Sequence, residues 1–123
     1  MPESKINAAI IDHKSLVVRF NNSIHGITNE KYDTEQVGDD TICAFGRLLY
    51  GDAKNILVSK RLEQVVQLHK SFHQVAAKIA AMINRHEIYG TISPLVEDLE
   101  WILKQFINML RSLKSELKQS ELS

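Results

Sequence analysis

The stretch "RLEQVVQLHKSFHQVAAKIAAMI", Arg61 to Ile83, decides the fold. Leu62, Val66, position 69, position 73, Ala76, Ala80 and Ile83 follow one another in steps of four and three, the period of a helix with one apolar face. Two positions of that stripe are His69 and His73, where Leu, Ile or Val is expected. Imidazoles fill a core poorly, so they are either tolerated there or they bind something. The small side chains Ala76, Ala77, Ala80 and Ala81 imply close approach of a neighbouring helix.

The same period runs on either side. From Lys5 to Ile27 the apolar positions are Ile6, Ile10, Val17, Phe20, Ile24 and Ile27, with His13 in the remaining slot. Towards the C-terminus Tyr89, Gly90 and Thr91 read as a turn and Pro94 suits the first turn of a last helix. Leu95, Leu99, Ile102, Phe106, Leu110, Leu113 and Leu117 line that helix, and Trp101 is expected in the core with them. "HGITNEKYDTEQVGDD", His25 to Asp40, is a polar connector with room for a helical turn of its own. Asp39, Asp40 or Thr41 can cap a short helix over "ICAFGRLLYG", Ile42 to Gly51. A second connector, "DAKNILVS", leads to Ser59 at the start of the central helix.

With no strand alternation anywhere, these segments predict an all-α chain. The expected architecture is an antiparallel four-helix bundle with three long helices and one short helix that carries the cysteine. A chain of 123 residues supports one core, taken as a single domain over residues 1–119 with a frayed tail over 120–123.

Fifteen Lys and Arg balance fifteen Asp and Glu, so no long-range field draws the chain to a phosphate backbone or an anionic bilayer. Neither nucleic-acid binding nor membrane insertion is expected, since no run reaches the eighteen or so apolar residues of a span. The first twenty residues are amphipathic rather than signal-like, and the expected location is the cytoplasm. Cys43 is the one cysteine, which accords with a reducing compartment and leaves a thiol that is inert, reactive or a ligand.

A single buried histidine is ordinarily a core residue whose nitrogens are satisfied by backbone or water. Three on facing stripes are another matter, because each imidazole left unpaired costs about 1–3 kcal/mol in a domain that is only marginally stable. Histidines four apart on a helix point the same way, as two ligands of one metal must. His13 sits mid-helix at a level where it can face them. Cys43 is the fourth candidate, and Ala44 and Gly46 beside it permit tight packing. Three imidazoles and a thiolate match zinc in softness and close a tetrahedron. Such a site has no open position for water, so no enzymatic activity is expected at it. Phosphate loops, HExxH and nucleophile elbows are absent, and the stripes have no carboxylates for a di-iron centre.

Taken in order, "DH" at Asp12 and His13, "CAFGRLLYG" from Cys43 to Gly51 and "HKSFH" from His69 to His73 resemble the chemoreceptor zinc-binding domain family. The chain departs from it at Leu16 and Leu48, where the family usually has tryptophan. The resemblance implies zinc held by His13, Cys43, His69 and His73, an antiparallel bundle and homodimerisation. It also implies a regulatory role in bacterial signalling, in chemotaxis or cyclic-di-GMP control. The partner would be a chemoreceptor, a diguanylate cyclase or another signalling protein, in cis or in trans. Zinc occupancy or the redox state of the cysteine would control the output. The alternative is a passive zinc-stapled dimerisation or interaction domain. Asp12 or an acid of the first connector can orient a ligand imidazole, and His25 and His86 are expected outside the site.

Overall fold

A computed structural model describes residues 3–41, 43, 45–47 and 60–122. The chain is all-helical: α1 spans Glu3–Ile24, α2 Thr34–Gly38, α3 Lys60–Asn84 and α4 Tyr89–Leu122, and residues 45–47 are also helical. The expected helix over Ile42 to Gly51 lies mainly outside the described residues, as do Ser59 and the second connector. Within them, Cys43 stands at a bend just ahead of the helical residues 45–47.

The stripes of the three long helices meet in one core. Ile6, Val17 and Phe20 of α1, Val65, Phe72 and Ile79 of α3, and Leu99, Phe106 and Leu110 of α4 are buried. Burying side chains of this size contributes about 1.5–3 kcal/mol each. Two members of the expected stripes fall outside that core. Ile27 is 72% exposed, because α1 has already ended at Ile24. Trp101 is 62% exposed and not in the core, because Leu99, Leu103 and Phe106 take the inward positions of its turn.

Both long-helix ends preceding connectors close in the same way. After α1, Gly26 has φ +75°, its N–H donates to Ser23 O, and Ile27 N–H donates to Asn22 O. After α3, His86 has φ +56°, its N–H donates to Ile83 O, and Glu87 N–H donates to Met82 O. This pair of bonds satisfies the last carbonyls of a helix and requires a left-handed residue, natural for glycine and costly for histidine. α4 then begins at Tyr89, so the turn expected at 89–91 is already helix and the true turn is at 85–88. Pro94 consequently lies inside the helix, leaving the exposed Gly90 without an N–H partner four residues on.

The first connector is folded onto the bundle rather than looped away. Asn84 at the end of α3 clamps the Tyr32 backbone at both its groups: Tyr32 N–H donates to Oδ1 at 2.9 Å and Nδ2 donates to Tyr32 O at 2.7 Å. The Tyr32 ring is buried edge-on to Phe20, and Arg19, paired with Glu30, lies over it. Asp33 then caps α2 by accepting from the N–H groups of Glu35 and Gln36. α2 packs on the alanine face of α3 so closely that a Cβ on Gly38 would lie 3.0 Å from that of Ala77. At Ala77, the close neighbour implied by the alanines is therefore this turn of the connector.

Candidate metal centre

Four residues expected from the sequence converge at mid-bundle. One ligand atom each of His13, Cys43, His69 and His73 lies within 4.8 Å of the others. Nε2 of His73 is 3.4 Å from Nε2 of His13 and 3.0 Å from Nε2 of His69, and Cys43 Sγ is 3.2 Å from His69 Nε2. Ligands at about 2.0–2.3 Å from a tetrahedral zinc stand some 3.3–3.6 Å apart, close to these separations.

The protonation pattern explains what those contacts are. His13 Nδ1 donates to the Ala9 carbonyl at 2.7 Å, and His73 Nδ1 donates to the Val37 carbonyl at 2.7 Å. A carbonyl only accepts, so each ring carries a proton on Nδ1 and turns Nε2 to the cluster, where neutral His13 presents a bare lone pair. The two Nε2 atoms then face each other at 3.4 Å with both Nδ1–H groups already engaged by carbonyls. One cation at the point of convergence can take a lone pair from each ring, and the residues present fit zinc.

Burial drives His13, His69 and Cys43 to their neutral forms. Desolvation lowers His13 from 6.5 to about 4, against the opposing effect of its bond to Ala9. His69, fully buried, falls to about 2 by desolvation first and the neighbouring imidazoles second. The Cys43 thiol is pushed up by burial, although the N–H groups of Gly46 and Phe45 partly favour the thiolate. Gly46 N–H donates to Sγ at 3.2 Å.

Asp40, an acid of the first connector, brings its carboxylate to 4.0 Å from His69 Nδ1. With the ring neutral this is not an ion pair but a carboxylate near a buried ring nitrogen that has no hydrogen-bond partner. The backbone of Asp40 also packs on Gly46, where a Cβ would overlap the Asp40 carbonyl oxygen. Glycine at 46 is thus what allows the cysteine segment to seat against the residue that faces His69.

Rings seal the inner side. Phe106 of α4 stacks on His69 with centroids 5.5 Å apart, Phe45 meets His69 edge-on at 5.3 Å, and Phe72 lies 5.0 Å from His13. The outer side is an open cleft of about 450 Å³ between α1 and the first connector, reaching His13, Cys43 and His73 and lined in part by Leu16. Leu48 lies outside the described residues. His25 and His86 are exposed and do not join the cluster.

Sequence reasoning missed the carbonyls of Ala9 and Val37 and the wall formed by Phe106. Ala9 could have been found, since it precedes His13 by one helical turn. No pattern singles out Val37, because any residue supplies the same carbonyl.

A family model, that of the chemoreceptor zinc-binding domain, matches residues 13–80, a span that holds all four converging side chains. No curated protein matches the chain, and no solved structure does.

Proposed function

The chain belongs to the chemoreceptor zinc-binding domain family, and from that premise we propose a zinc-binding regulatory module of bacterial signal transduction. His13, Cys43, His69 and His73 are assigned as the zinc ligands, and the observation that carries the assignment is the convergence of their donor atoms, with the Nε2 atoms of His13 and His73 turned on each other while both Nδ1 atoms are held by carbonyls. Bound there, zinc supplies the positive charge that holds Cys43 as thiolate and accepts the three imidazole lone pairs. Four protein donors leave no position for a water nucleophile, so the module is assigned no enzymatic activity.

The chain's own residues divide into a rigid part and a releasable part. His13, His69 and His73 stand on long helices whose neighbouring turns are core. Cys43 stands at a bend, tied down by Gly46 and by the contact of Gly46 with Asp40. Oxidation of the thiolate by a peroxide or hypochlorous acid, with oxygen transferred to sulfur, would release this segment first and leave the helices in place. The short α3–α4 turn and the Lys114 to Asn7 hydrogen bond between opposite chain ends support the antiparallel four-helix arrangement. The module is proposed to act in the cytoplasm as a homodimer, on a chemoreceptor, a diguanylate cyclase or a similar output protein.

A passive staple is the second reading, favoured by the complete burial of His69 beneath Phe106. Chelator titration followed by helix content and oligomeric state separates the two. A regulatory module stays helical when stripped and changes shape or association, whereas a staple unfolds. In the regulatory reading Cys43→Ala keeps zinc at reduced affinity and loses the shape change caused by oxidant. The same oxidant response in that variant would refute it.

A further inference from the structure

The four candidate ligands do not face solvent equally. His69 is 0% exposed and covered by Phe106 and Phe45, and it does not reach the cleft. His13 and His73 are 5% and 6% exposed, Cys43 is half-buried, and all three form the cleft floor. Lys31 and Gln36, both exposed, stand at its rim, and Leu16 lines its wall. A space of about 450 Å³ is of the size that small-molecule sites use.

We propose, resting on the zinc reading above, that this cleft is the route by which a small chelating molecule reaches the metal. Such a molecule takes the metal from, and delivers it to, the Cys43 side of the centre. Ligand exchange there needs only the replacement of one protein donor at a time by a donor of the incoming molecule. Cys43 is the first to be replaced, since it is the most exposed donor and stands at a bend rather than within a long helix. His69 is the last, because no incoming group reaches its side without displacing Phe106. Metal transfer therefore proceeds without opening the core, and its rate depends on the acceptor molecule.

Stopped-flow transfer of zinc from the full chain to excess EDTA, and separately to glutathione, tests this, with native mass spectrometry fixing the starting stoichiometry. The release rate should rise in proportion to acceptor concentration. Gln36→Trp, which adds bulk to an exposed rim position, should slow release at least fivefold while leaving zinc affinity within twofold. Gln67→Trp, exposed on the opposite groove of α3 and α4, should change neither. A release rate independent of acceptor concentration and equal to the rate of bundle unfolding would overturn the proposal. So would equal slowing by both tryptophan variants. A chain that binds no zinc at the start would instead overturn the ligand assignment on which the route rests.

Discussion

Acid should destabilise the zinc-stripped bundle well above the pH at which carboxylates titrate. Folded His13 and His69 are neutral because burial lowers them from 6.5 to about 4 and about 2. In the unfolded chain both rings regain their ordinary affinity for protons. Below pH 6.5 the unfolded state therefore binds more protons than the folded one, and stability falls as pH falls. The slope for each ring rises from about half of 1.4 kcal/mol per pH unit at pH 6.5 to nearly all of it by pH 5, so that step costs about 1.6 kcal/mol per ring and about 3 kcal/mol for both. A domain of this size has about 5–15 kcal/mol in total. The loss is thus a large fraction of what holds the stripped fold together.

Urea unfolding of the zinc-stripped protein at pH 7, 6 and 5, followed by circular dichroism at 222 nm, measures it. Staying at or above pH 5 keeps the Asp39 and Glu30 carboxylates out of the result, since Thr41 and Arg19 respectively hold them below their usual range. His13→Leu should remove about half of the pH dependence, and the double variant with His69→Leu nearly all of it. Stability that is flat between pH 7 and 5, or a slope unchanged by His13→Leu, would refute the claim that these rings are buried and neutral.

Gly46→Ala places a methyl group against the Asp40 carbonyl oxygen and pushes Cys43 off the cluster; zinc affinity in a chelator competition should fall at least tenfold while helix content is kept. His86→Gly removes a left-handed histidine from the turn after α3 and, net of glycine's extra unfolded-state entropy, should raise stability by about 0.5–1 kcal/mol in thermal melts, with zinc affinity unchanged.

How much of this was legible beforehand depends on the kind of information involved. Four-and-three spacing made helices of the segments around His13, His69, His73 and Phe106, because side chains on one helical face recur with that period whatever they pack against. The same spacing picked out three histidines where aliphatic residues belong, and chemistry alone then matched them to Cys43 and zinc. Pairing and local chain path were less accessible. Ile27 and Trp101 continue apolar patterns and are nevertheless exposed, since periodicity names a face without saying whether anything covers it. The turn after α3 was misplaced because His86 adopts a conformation that composition assigns to Gly90.

By itself, then, the sequence determined that the chain is helical, which faces of its long helices are apolar, and which four side chains are the candidate donors. These follow from local stereochemistry and residue type. Tertiary structure alone decided that those donors share one point and that the carbonyl of Val37, thirty-six residues from His73, orients its ring. It also decided that Asp40 faces His69, and that the cleft beside α1 reaches His13, Cys43 and His73. Each of these depends on where a backbone carbonyl or a neighbouring helix lies in space, and a carbonyl looks the same in every residue.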